Sequence, residues 1–148
     1  MSMEVARDFE EFFASCNRHG VQYLVVGGYA FAFHARPRYT GDMDVFVRAS
    51  RENAEALIRA LADFGFELED LSWKDFDREE KVVQIGYPPI RIDIITTVDG
   101  VEFEDAWPRR VEANYGNQKV YFISKADLIA NKRASGRKQD LMDLESLL

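Results

Sequence analysis

Residues 22–48 read QYLVVGGYAFAFHARPRYTGDMDVFVR, and the order of residue types in this stretch decides the fold. Gln22-Tyr-Leu-Val-Val26 is a short apolar run with the length of a buried strand. Gly27-Gly28 ends it, Tyr29 to Ala35 reads as a short helix, and Pro37 closes that helix. Asp42-Met-Asp-Val-Phe-Val-Arg48 then reads as a second strand. Strand side chains alternate between faces, so Asp42 and Asp44 point one way while Met43, Val45 and Val47 point into the core.

Upstream, Val5, Phe9, Phe12, Phe13 and Cys16 form a helical stripe, with Gly20 where that helix stops. Cys16 is thereby a core residue rather than a nucleophile. Downstream, Ala54, Leu57, Ile58, Leu61 and Phe64 mark an amphipathic helix stopped by Gly65. Residues 67–81, with Trp73 and Phe76 among them, are acidic and irregular and read as an exposed connection. Val82 to Ile85 and Ile90 to Thr97 predict two strands around Tyr87-Pro88-Pro89. In the second of these, Ile90, Ile92 and Ile94 share one face, and Arg91 and Asp93 the other. Residues 102–107 suggest a helical turn, and 110–115 with 119–123 a hairpin around Gly116-Asn117. Ser124 and Asp127 have the spacing of a capping box for a helix to about Arg133. Ser135-Gly136 breaks it, and a last helix spans 137–147 with Leu141, Leu144 and Leu148 on its apolar face.

The alternation of strands and helices predicts one α+β domain over residues 1–148, with a central mixed sheet flanked by helices. With 148 residues and 47% apolar content the chain can bury a core unaided, and a single cysteine excludes an intrachain disulfide. No secretory signal and no membrane-length apolar run is present, so a cytoplasmic protein with no membrane partner is expected. The net charge of −7 argues against nonspecific coating of nucleic acid. Residues 109–138, however, hold eight Lys and Arg against Glu112 and Asp127, a local +6 that could be a solvated surface or a seat for phosphates.

Asp42, Asp44 and Asp93 form the chemical constellation. Three carboxylates on the polar face of adjacent strands repel one another unless a cation sits between them, and hard divalent ions with oxygen ligands meet that need. Two Mg²⁺ or Mn²⁺ ions about 4 Å apart would orient an in-line attack on phosphorus. Gly27 and Gly28 let backbone approach a ligand, and the helix behind them offers free N–H groups to phosphate.

The segment Val26-Gly-Gly-Tyr-Ala30 with His34, followed by Arg38-x-Thr40-x-Asp42-x-Asp44, resembles the nucleotidyltransferase superfamily with the DNA polymerase beta-like fold. Ser124-Lys-Ala-Asp-Leu128, Lys132 and Arg137-Lys-Gln-Asp140-Leu-Met-Asp143 resemble its branch of small bacterial, abortive-infection-type toxins. Two positions depart from the pattern: Ala35 follows His34 where Gly is usual, and Gln139 separates Lys138 from Asp140.

The resemblance implies transfer of a nucleoside monophosphate from a nucleoside triphosphate such as ATP to an acceptor hydroxyl. It makes Asp42, Asp44 and Asp93 the catalytic metal ligands and sets Gly27 and Gly28 against the triphosphate. Lys132 and Asp140 then fall near the nucleotide. In the toxin-type branch the acceptor is tRNA and the partner a cognate antitoxin. An aminoglycoside-type small-molecule enzyme and a non-catalytic nucleotide- or partner-binding module remain open.

Several side chains carry two readings. His34 either positions the site or packs. Arg38 and Thr40 either contact phosphate or ribose or hold their loop. Lys132 either binds phosphate or pairs with Asp127 or Glu145. Asp140 and Asp143 share a helical face, from which one could orient Lys132 or Arg137.

Overall fold

The computed structural model describes residues 6–87 and 89–148, so Val5 of the first stripe and Pro88 of the turn lie outside the described residues. The helices are α1 (Arg7–Arg18), α2 (Gly27–His34), α3 (Arg51–Phe64), α4 (Phe103–Ala106), α5 (Lys125–Ser135) and α6 (Lys138–Leu147). The strands are β1 (Tyr23–Val26), β2 (Asp42–Val47), β3 (Val82–Tyr87), β4 (Ile90–Ile95), β5 (Val111–Tyr115) and β6 (Gln118–Phe122). They form one sheet in the order β3-β4-β2-β1-β6-β5. β2 runs parallel to β4 and β1 parallel to β6, while the other neighbours are antiparallel. This is the expected α+β class with a mixed sheet.

Register assigns the faces. Tyr23 and Val25 lie opposite Val47 and Val45, and the Tyr23 ring stacks on Phe13 of α1 at 5.5 Å. That side carries α1, with α3 packed on it. The other face carries Asp42, Asp44 and Phe46 from β2. Phe46 is covered edge-on by Phe103 at 5.1 Å, which closes one end of this face and leaves the other to the aspartates.

Some elements differ from the expectation. The acidic stretch 67–81 is no mere exposed connection, because Phe76 is fully buried in the core. A 3₁₀ turn at Trp73–Asp75, closed by a Ser72–Asp75 capping box, aims it there. In α6, Leu144 and Leu147 are buried while Leu141 and Leu148 are exposed. Asp143 also turns inward, to Lys132, and this buried ion pair rotates the inner stripe away from Leu141. No helix among the described residues is long and apolar enough to cross a membrane.

A buried polar anchor ties α3 to the sheet. Asn53 is 5% exposed; its Oδ1 accepts from Gln22 N at 2.8 Å, and its Nδ2 donates to the Gln22 and Arg48 carbonyls at 3.0 Å each. Ser50 caps the same helix by accepting from Asn53 N at 3.2 Å. Removing Asn53 leaves the part-buried Gln22 N–H without its acceptor, at about 1–3 kcal/mol, and takes a donor from two carbonyls that keep Arg48 N and Ser50 N, whereas removing a cap costs about 1 kcal/mol. Asn53→Ala is therefore expected to lower the urea midpoint more than Ser50→Ala, with the slope of the transition unchanged.

Candidate active site

β1 passes into α2 without a loop. Gly27 makes the join at φ +66°, a left-handed conformation that a side chain disfavours. A Cβ at Gly27 would collide with Asp44 Oδ2, and one at Gly28 would lie 2.8 Å from Thr40 Oγ1. The glycines thus admit the Asp44 carboxylate and the Thr40 side chain as well as any ligand. Val26, at the N-cap of α2, supplies no side-chain hydrogen bond, so the first-turn N–H groups lack a side-chain cap. Thr40 Oγ1 is buried and has no hydrogen-bond partner among the described residues.

Parallel pairing sets Asp44 opposite Asp93 and Asp42 opposite Arg91. The expected three-carboxylate face therefore exists, but a guanidinium joins it. Arg91 Nη2 donates to Asp42 Oδ2 at 2.7 Å, and Arg91 Nε and Nη2 donate to the two oxygens of Asp93 at 3.0 and 3.2 Å. Burial first, then repulsion from Asp93 and Asp42, pushes the Asp44 carboxyl up to about 6, against the pull of Arg91 and Arg137. The donor set suits a hard divalent cation: all oxygens, all on one face, with one carboxylate left short of positive charge. As the side chains stand, however, no group of three or more His, Cys, Asp or Glu is gathered to hold a metal among the described residues. Arg91 takes the oxygens that would close on an ion.

Lys132, Asp140 and Arg38 form a second cluster, centred on Asp143. Lys132 is buried, with Nζ 3.1 Å from Asp140 and 2.8 Å from Asp143. Arg38 donates to Asp143 Oδ1 at 2.6 Å and lies 4.3 Å over the Phe31 ring. Burial raises the Asp143 carboxyl, but hydrogen bonds from Lys132, Gln139 and Arg38 outweigh it and hold the group below the usual carboxylate range. Lys132 thus pairs with Asp140 and Asp143, not with Asp127 or Glu145. His34 Nε2 donates to the Ile123 carbonyl at 2.7 Å, and burial keeps the ring's basicity low, with Lys125 adding to the effect.

Part of the +6 segment is paired, while Lys125, Arg133, Arg137 and Lys138 stay exposed. Arg109 forks onto Asp127 at 3.0 and 2.9 Å, Arg110 stacks 4.0 Å over Trp107, and Lys119 pairs with Glu112 at 3.7 Å. Arg137 lies 3.7 Å from Asp140, yet its side chain is 81% exposed and its charge also reaches Asp44.

Sequence reading gave no role to Arg91 or Asn53. The signal for Arg91 was present in the alternation that puts it on the face of Asp93. Asn53 has no comparable local signature, because its partners, Gln22 and Arg48, flank the start of β1 and the end of β2.

Asp44 makes stability depend on pH in a defined sense. Its folded value of about 6 exceeds the ordinary 3.8, so the folded state binds more protons between them. Its favourable contribution is complete below the lower value and lost as pH rises through the upper one. In metal-free buffer, Asp44→Asn is expected to melt above the wild type at pH 8, with the gap closing by pH 4 in thermal melts.

Among solved structures, the chain resembles the Thermotoga maritima protein TM1012, named as a candidate nucleotidyltransferase (TM-score 0.64, 14% identity, covering 94% of this chain and 89% of that one). It also resembles the lincosamide antibiotic adenylyltransferase LnuA in its lincomycin-bound form (TM-score 0.60, 17% identity, 98% of each chain). A third is an antigenic nucleotidyltransferase-like protein from Paracoccidioides brasiliensis (TM-score 0.51, 18% identity, 97% of this chain and 77% of that one). At these identities the likeness is one of fold. No curated protein matches the chain. Residues 3–148 match the family described as nucleotidyltransferase of unknown function (DUF6036), and the chain belongs to that family of nucleotidyltransferases.

Proposed function

We propose that the chain moves a nucleoside monophosphate from a nucleoside triphosphate to the hydroxyl of a small acceptor molecule, in a reaction dependent on Mg²⁺ or Mn²⁺. The observation that carries this reading is Asp44 opposite Asp93 on an open sheet face, against the glycine-lined start of α2. Asp42, Asp44 and Asp93 would hold the divalent ions, whose contribution is to neutralise phosphate charge and orient the reactants. The first-turn N–H groups of α2 bind phosphate oxygens, and the unpartnered Thr40 hydroxyl is available to a phosphate or ribose oxygen. Arg137 contributes positive charge from the rim. The acceptor hydroxyl attacks the α-phosphorus, the bond to the β-phosphate bridging oxygen breaks, and pyrophosphate leaves. The hydroxyl proton passes to Asp93. Catalysis is then chiefly positioning and charge neutralisation.

A small acceptor is favoured over tRNA because Lys132, the cation expected at the nucleotide, is buried against Asp140 and Asp143 and not offered to a polyanion. The LnuA likeness accords with a small-molecule acceptor. A tRNA acceptor with a cognate antitoxin keeps the family resemblance as its support.

Three measurements check the proposal. Mg²⁺ with a nucleoside triphosphate should raise the melting temperature more than either alone; a ligand at 100 times its Kd adds about 2.7 kcal/mol. With α-labelled triphosphates, label should pass to an aminoglycoside or lincosamide and disappear in Asp93→Asn. Label on total RNA instead would return the acceptor to tRNA, and label on neither would reject transfer. The third measurement separates Lys132 from Arg137. Lys132→Ala should cost about 3 kcal/mol, since it removes the buried cation shared by Asp140 and Asp143. Arg137→Ala should stay within about 0.5 kcal/mol of wild type yet weaken nucleotide binding.

A further inference from the structure

Arg91 occupies the ground that a divalent ion would need. Its three N–H bonds go to Asp42 and Asp93, two of the three carboxylates assigned to metal in the proposal above. The arrangement follows from register and not from a chance rotamer. Arg91 pairs with Asp42 across β2 and β4, and Asp93 lies two residues further along the same strand on the same face. A guanidinium carries five donors in a planar fork, matches carboxylates well, and does not lose its proton in proteins. It can vacate the site only by moving, and its new partner must again be an anion. Its side chain is 28% exposed, so a route outward exists.

We infer that Arg91 is a resident competitor for the divalent cation: it bridges Asp42 and Asp93 in the nucleotide-free chain and is handed to the triphosphate when metal and nucleotide load together. The inference rests on the metal-binding reading of the three aspartates. Metal arriving alone must strip Arg91 of its carboxylates and leave it unpaired. Metal arriving with a triphosphate supplies the replacement partner. The two ligands therefore favour each other's binding, and by linkage the coupling is the same in either order. Arg91 thereby becomes a phosphate-contacting residue of the loaded state as well as the counter-ion of the empty one.

Mn²⁺ binding followed by the electron paramagnetic resonance of the free ion tests this without any turnover. Arg91→Gln should bind Mn²⁺ alone about five-fold more tightly than wild type or better. It should also bind ATP in the presence of Mn²⁺ less tightly, with the mutual enhancement of the two ligands reduced. Arg91→Lys keeps the charge but cannot span both carboxylates, so it should fall between wild type and Arg91→Gln, and it carries the test if the glutamine chain does not fold. Equal or weaker Mn²⁺ binding in the variants, with Mn²⁺ and ATP still binding jointly to wild type, overturns the competitor role and spares the metal site. Failure of wild type to bind Mn²⁺ even with ATP overturns both.

Discussion

Asp44 and Asp93 face each other across a parallel strand pair, with Asp42 one pleat away on the same side. Like charges held that close demand compensation, and the surroundings of the pair are organised by that demand. Gly27 has no side chain because Asp44 Oδ2 occupies its Cβ position. Arg91 reaches across to two of the carboxylates, and exposed Arg137 lends its field to the third. The unsatisfied remainder appears in Asp44, whose carboxyl holds its proton to about 6. A site that is short of positive charge beside an uncapped helix start is disposed to take a cation and a phosphate together.

The second ionic centre is of a different kind. Lys132, Asp140 and Asp143 lie within the α5–α6 pair, and Arg38 joins them to the loop that carries Thr40 toward β2. The stacking of Arg38 over Phe31 ties that loop to α2 as well. This network holds in register the pieces that meet at the glycines. Its charges are spent on each other, so it is suited to support and poorly suited to greet a polyanion. The same holds for Arg109 on Asp127, which braces the start of α5.

What was legible in the sequence had a local period. The strand around Asp42 and Asp44 showed itself by alternation, α1 by its Phe stripe, and α5 by the Ser124–Asp127 spacing, where Ser124 does accept from Asp127 N at 3.1 Å. The carboxylate face could be read because facing along a strand is fixed by parity. What escaped depends on partners remote in the chain. Phe76 sits among charged residues whose composition hides its burial. Leu141 fits an apolar helical stripe, yet the orientation of α6 is decided by Lys132 on another helix. The net +6 of the basic third does not show that Lys132 is matched by Asp140 and Asp143, which lie beyond the counted segment.

The close approach of Gly27 to Asp44 also links the histories of two positions. While the aspartate is present, no residue with a side chain can enter at 27 without displacing the carboxylate. A lineage that abandons the chemistry and shortens residue 44 relaxes the steric half of this restriction at once. The backbone half persists, because φ at 27 is +66° and only Gly, or less comfortably Asn and Asp, adopts it. Loss of the carboxylate should therefore precede drift at the glycine, and descendants that have lost activity should pass first through a stage that keeps the glycine turn without its acid.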